Sequence, residues 1–116
     1  MATRILWLSR HQILPRQVEE LERLFGEDTI IVEDPKPFGD VKDILRRFKK
    51  GGFDEMVVVA PLSVIAKLTE CGIQPLYAQM EAVSPNDGYD TIANGRYYRF
   101  VEFKRIKAIK IEFTEV

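Results

Sequence analysis

Two hydrophobic periods divide this chain. As far as about residue 80, short apolar runs alternate with stretches whose apolar residues recur every three or four positions. The first kind predicts buried strands and the second amphipathic helices. Residues 4–9 read as strand one. Pro15 opens a helix over 15–25, with Val18, Leu21, Leu24 and Phe25 on one face and Gly26 as its stop. Thr29 to Val32 is strand two, and Pro35, Pro37 and Gly39 then break the chain into a loop. Val41, Ile44, Leu45 and Phe48 define a second helix over 41–50, ended by Gly51. Met56 to Ala60 is apolar throughout, as an interior parallel strand should be. Pro61-Leu62-Ser63 leads into a third helix, Val64 to Cys71, closed by Gly72; its apolar face includes Cys71, read as a core residue. Pro75 to Met80 is a fourth strand, and residues 83–95, with Pro, Asn, Asp and Gly, read as an exposed loop.

Beyond that loop the period changes to two. Tyr97 to Ile106 and Ala108 to Phe113 are rich in aromatic and β-branched residues, and Ile109-Lys110-Ile111-Glu112-Phe113 alternates strictly. Alternation places one face on a core and the other in water, as in antiparallel or edge strands. The expected fold is therefore α/β, a three-layer sandwich in one domain over 1–116. Its sheet is mostly parallel, with an antiparallel C-terminal strand pair. Right-handed crossovers put the loops after strands one, two and three on a common rim.

Composition narrows the class. Apolar residues make up 46% and charged residues 30% of 116, as in an ordinary soluble domain. A net charge of −1 argues against a strongly electrostatic nucleic-acid binder, though a local basic face remains open. One cysteine, Cys71, excludes an internal disulfide and a multi-cysteine metal site, which suits a reducing compartment. No secretory leader and no long apolar run is present, so a cytoplasmic protein away from membranes is expected.

The candidate chemistry gathers where strand one ends. Ser9, Arg10 and His11 put a hydroxyl, a guanidinium and the only imidazole in consecutive positions. In an open α/β sheet, ligands bind in the crevice at such carboxyl ends. All three groups can bond phosphate oxygens, and a helix N-terminus beside them favours anions. Strand two adds Glu33, Asp34 and Lys36 to the same rim, and strand three adds Ser63. Each has a plainer role as well. Ser63 is placed to cap the third helix, the favoured reading, or to help hold a phosphate. Ser9 suits a turn or a ligand contact. Arg10 suits an ion pair with Glu33 or Asp34, or bidentate phosphate binding. His11 is an exposed loop histidine or a proton carrier.

Other patterns are weaker. The glycine fingerprints of dinucleotide and triphosphate sites are absent after strand one. A Ser63-His11-Asp34 triad lacks the glycines of a nucleophile elbow. His11, Glu33 and Asp34 lack diagnostic metal-ligand spacing, so neither metal nor cofactor is expected. Arg96-Tyr97-Tyr98-Arg99-Phe100 has the composition of a nucleic-acid surface, and equally that of a strand with buried rings and solvated arginines, the favoured reading. Residues 84–94 read as a surface loop, or as a lid over a ligand.

The order strand, Ser9-Arg10-His11, five residues, Gln17, followed by Val57-Val58-Val59-Ala60-Pro61-Leu62-Ser63-Val64-Ile65-Ala66-Lys67-Leu68, resembles the small Rossmann-like proteins of CRISPR loci, the CARF and ring-nuclease group. The resemblance covers about residues 4–80. It implies a Rossmann-like homodimer binding a cyclic oligoadenylate across its two-fold axis. Ser9, Arg10, His11 and Ser63 would then contact phosphate and ribose, with Gln17 nearby. Plasmid and virus proteins share the layout without an implied activity.

The leading expectation is a binder of a nucleotide or other phosphorylated ligand. Should it be an enzyme, it would be a metal-independent phosphodiesterase. Arg10 would stabilise charge, His11 would move the proton, and Ser9, Gln17, Asp34 and Ser63 would contact the ligand. Two alternatives stand beside it. One is a non-catalytic oligomeric protein of a mobile element, using exposed Tyr97, Phe103 or Phe113 as a partner surface. The other is nucleic-acid binding through the C-terminal strands.

Overall fold

The computed structural model describes residues 2–110 and 112–116. The chain runs β1 (Arg4–Leu8), α1 (Pro15–Phe25), β2 (Ile30–Asp34), α2 (Val41–Lys50), β3 (Glu55–Val58), α3 (Leu62–Glu70), β4 (Leu76–Val83), β5 (Thr91–Ala93) and β6 (Arg96–Arg105). The strands form one mixed sheet in the order β2-β1-β3-β4-β6-β5. The first four are mutually parallel, and β6 runs antiparallel to both β4 and β5.

Alternation along the buried strands sorts the core onto two faces. Leu6, Leu8, Met56 and Val58 pack with Ile44 of α2 and with Ile65 and Leu68 of α3. Ile5, Trp7, Val57 and Leu76 pack with Leu21 of α1 on the other face. Helices therefore cover both faces, but the sheet is not that of a flat sandwich: it curls into a half-barrel. Growth of the sheet reverses at β1, which lies between β2 and β3. The chain leaves β1 one way and returns past it the other way, which opens a crevice at the carboxyl ends.

The first two-thirds follow the apolar pattern in outline, but Ile30, Val32 and Val59 on the expected strands are exposed at 42%, 36% and 61%, and β3 ends at Val58. Leu24 is 45% exposed, and α1 buries Gln17 and Leu21 instead. Cys71 is exposed at the end of α3 and is not a core residue.

The C-terminal third departs from expectation. Among the described residues β6 does not pair with 108–110 or 112–113. Residues 106–110 and 112–116 form no strand, and Ile111 lies outside the described residues. β6 pairs with β4 on one side and with β5, from inside the expected loop, on the other. Asn94 and Gly95 join β5 to β6 with φ of 51° and 73°. Two consecutive left-handed residues make the tight turn whose twist suits a hairpin, and Asn-Gly is its preferred pair. Phe103 is also no surface residue, since its ring meets Trp7 edge-on and packs near Phe100. Tyr97 is half-buried against Tyr89, whereas Phe113 is 92% exposed.

Candidate functional site

Leu8 at the end of β1 with Ser9, Arg10 and His11 after it, Asp34 at the end of β2 with Pro35 to Phe38 after it, and Val59 after β3 line a crevice of about 330 Å³. It lies where the reversal at β1 puts one. Its volume falls at the small end of ligand sites.

Local bonds shape the segment from Ser9 to Leu14. The Ser9 hydroxyl oxygen accepts from the His11 amide at 3.1 Å, a two-residue turn. The buried Trp7 indole donates to the His11 carbonyl at 3.1 Å, which ties this segment to the α1-side core. Ile13 N–H donates to the Glu33 carboxylate at 2.7 Å, and Leu14 N–H donates to the Gln17 side chain at 2.9 Å. The Ile13 and Leu14 amides before α1 are thus already occupied, and no α1 residue lines the crevice. Glu33 holds the place that an anion at this helix end would take.

The expected residues fall into two groups. Ser9, Arg10, His11 and Asp34 come together. Gln17 and Ser63 do not line the crevice. Gln17 is buried at 5% exposure, accepting from Leu14 N–H and reaching Met80 Sδ at 3.8 Å. Ser63 lies inside α3, which begins at Leu62 with Pro61 before it and no side-chain cap. The capping role expected of Ser63 is therefore not what the structure has: Pro61 takes the position before the helix, so the helix starts two residues too early for it. The 84–90 loop does not reach the crevice. Asp90 ties it down by accepting from Phe100 N–H and Arg16, both at 2.8 Å.

The electrostatics favour an anion. Asp34 does not pair with Arg10. It accepts from Lys36 N–H at 3.1 Å and lies 3.4 Å from the Arg47 guanidinium. Among the described residues neither Arg10 nor the Lys36 ammonium has a carboxylate partner. Two cations therefore face the crevice beside a carboxylate that a third cation already holds. Pro35, Pro37, Phe38 and Val59 supply the apolar wall. No cluster of three or more His, Cys, Asp or Glu that could hold a metal occurs among the described residues.

Arg47 was not singled out by sequence reasoning, yet it holds the wall together. Its guanidinium donates to the carbonyls of Lys36 at 2.9 Å and Pro37 at 2.7 Å, and to Asp43 at 2.7 Å. The only signal in the chain is Asp43 four residues earlier on the same helix face. Burial acts to raise the Asp43 carboxyl. The Gly39 amide, Arg47 and Arg46 outweigh it, so the group titrates below the usual carboxylate range. A lowered folded value stabilises the fold above the unfolded titration and loses that contribution as pH falls through the folded one. The melting-temperature gap between the parent and Asp43→Asn should be constant near neutrality and close below about pH 4. A gap unchanged down to pH 2 would show that Asp43 contributes nothing through its charge.

Two of the three arginines on β6 are engaged. Arg99 bonds Glu81, which raises its titration, and donates to the Asp87 carbonyl. Arg105 bonds Glu55 and the Gln74 carbonyl. No helix is long and apolar enough to cross a membrane among the described residues. No family model, curated protein or solved structure matches this chain.

Proposed function

We propose that this protein binds a small phosphorylated ligand in the crevice at the carboxyl ends of β1 and β2. One observation carries the reading: among the described residues Arg10 and Lys36 have no carboxylate partner there, beside an Asp34 that Arg47 already holds. Arg10 offers a planar fork to two phosphate oxygens and Lys36 a point charge. The Ser9 hydroxyl accepts a bond from the protein and keeps its proton to donate. The wall of Pro35, Pro37 and Phe38 suits an apolar or flat group beside the phosphate. About 330 Å³ suits one nucleotide-sized unit. A ring of several nucleotides, the ligand that the CARF-like layout implies, exceeds that volume and would be shared between two copies. The β6 arginines support a nucleic-acid reading less well, because carboxylates already hold two of the three.

The test is a titration of melting temperature with inorganic phosphate, pyrophosphate and nucleoside monophosphates. A ligand of the folded state raises the melting temperature with the logarithm of its concentration. Arg10→Ala should weaken the best of them about tenfold, the loss of one charge-assisted contact. His11→Ala should leave binding nearly intact and abolish any turnover of a bound phosphodiester, as expected of a proton carrier. No shift with any phosphorylated compound, or equal shifts in parent and Arg10→Ala, would overturn the reading.

A further inference from the structure

Charge is unevenly shared between the two faces of the sheet. α1, on one face, carries three glutamates and two arginines, and Glu27 and Asp28 follow it. α2, on the other, has five cations in ten residues and a single acid, Asp43. Val41, Ile44, Leu45 and Phe48 turn to the core, so the opposite side of the helix presents Lys42, Arg46, Lys49 and Lys50, all exposed. Among the described residues none of the three lysines has a carboxylate partner. The two acids at the start of this helix are engaged: Asp43 by Arg46, Arg47 and the Gly39 amide, and Asp40 as the cap that accepts from Asp43 N–H.

The helix dipole accounts for part of this pattern. Cations in a last turn are favourable, which suits Lys49 and Lys50. Lys42 lies in the first turn, where the same dipole disfavours a cation, and no ion pair offsets that. A charge set against a local rule, with no partner inside the protein, points to a partner outside it. The first turn of α2 is also at the crevice. Phe38 lines the crevice just before α2 begins at Val41, and Arg47 of α2 bonds the carbonyls of Lys36 and Pro37 on its wall. Cations without a carboxylate therefore continue from Arg10 and Lys36 to Lys42, and down the helix over about 12 Å to Lys50.

We propose that the crevice takes one unpaired nucleotide of a single-stranded nucleic acid, and that the adjoining phosphates run along Lys42, Arg46, Lys49 and Lys50. The inference rests on the phosphate reading of the crevice and extends it from a single ligand to a chain. A polynucleotide is the phosphorylated compound whose next phosphates follow at once outside such a pocket. A single strand is required because a base still paired in a duplex cannot enter a site of about 330 Å³. Pro35, Pro37 and Phe38 offer that base an apolar wall, and the lysines track the backbone without reading sequence. The net charge of −1 does not oppose this, because the α1 acids lie across the sheet and are screened over about 10 Å at 0.1 M salt.

Fluorescence anisotropy with labelled oligothymidylates of increasing length, beside thymidine monophosphate, tests the proposal. Affinity should rise with length above that of the monophosphate, level off, and fall steeply with salt. Lys42→Gln/Lys49→Gln/Lys50→Gln should weaken the longest strand about tenfold or more and reduce its slope of log affinity against log salt by about 2, at about 0.7 per phosphate contact. The same protein should bind thymidine monophosphate as the parent does, with an unchanged circular dichroism spectrum. Arg23→Gln, which removes a cation from the α1 face, should leave the slope as it was. Arg10→Ala should weaken mononucleotide and strand alike. A strand that binds no tighter than the monophosphate would overturn the proposal and leave the crevice reading standing. Strand binding with no response to Arg10→Ala, a triple variant with the parental slope, or a duplex that binds as tightly as the strand would overturn it too. Polyglutamate competing as well as the strand would also overturn it, by assigning the face to an acidic protein. No binding of any nucleotide or strand would overturn both readings.

Discussion

Arg47→Met should lower stability by about 2–3 kcal/mol, equivalent to roughly 10 °C in melting temperature for a domain of this size. The guanidinium is 15% exposed and serves two carbonyls and two carboxylates. Methionine fills much of the same space but leaves the Lys36 and Pro37 carbonyls without this donor and Asp34 without its cation, while Asp43 keeps Arg46 and the Gly39 amide. Removing one member of a partly buried ion network costs more than the network contributes as a whole, because the remaining charges stay behind. The effect should reach the ligand. Asp34, released from Arg47, is free to compete for Arg10 and Lys36, so phosphate affinity should fall tenfold or more. Arg47→Lys keeps the charge but loses the planar fork and should recover only part of both losses. Arg23→Ala is the control, since Arg23 is exposed and bonds only Glu20 on its own helix; such pairs contribute little. Thermal melts and phosphate titrations on the three variants decide it. A melting temperature for Arg47→Met within about 2 °C of the parent would show that Arg47 does not hold the loop.

Arg47 also marks the limit of what the chain discloses. The crevice was legible because its cause is local: strand one ends, and Ser9, Arg10 and His11 follow at once. A parallel sheet places such an end on the ligand rim whatever else the fold does. What tunes the crevice was not legible. Whether Asp34 binds Arg10 or Arg47 depends on where α2 comes to rest, 13 residues on in the chain. Ser63 misled for a related reason. Its sequence context suits a cap, but α3 starts at Leu62 and passes through it. The apolar residues that line the wall, Pro35, Pro37 and Phe38, carried no signal beyond that of a loop.

The C-terminal third shows the same division. The strand character of β6 was evident from its rings and β-branched residues. Its partner was not, because alternation identifies a strand but not its neighbour. The Asn94-Gly95 turn was the missed clue, a two-residue hairpin signal inside a stretch read as loop. Had it been used, β5 would have taken the place given to 108–113.

Gly51→Ala should destabilise the protein by about 2 kcal/mol, although simple helix reasoning predicts the opposite sign. Gly51 follows α2 with φ of −80° and ψ of −6°, a conformation any residue adopts. At such a position alanine restricts the unfolded chain and usually stabilises by about 0.4–1 kcal/mol. Here a β-carbon would lie 2.1 Å from Cε2 and 2.6 Å from Cδ2 of Phe53. The ring is not free to yield. It packs on Phe48 and on the core under α2, and the Arg4 guanidinium lies 5.1 Å from its centroid. Arg4 in turn donates to the Gly51 carbonyl at 3.2 Å, so displacing the ring or the turn disturbs both. Overpacking of this kind costs about 1–3 kcal/mol, enough to outweigh the entropic gain. The sign should reverse once the ring is gone: in a Phe53→Ala background, Gly51→Ala should become neutral or stabilising. A double-mutant cycle by denaturant unfolding measures that coupling directly. Equal effects of Gly51→Ala in both backgrounds would mean that the ring and the glycine do not constrain each other. Phosphate binding at the other end of the sheet should be the same in all four proteins, since neither residue lines the crevice.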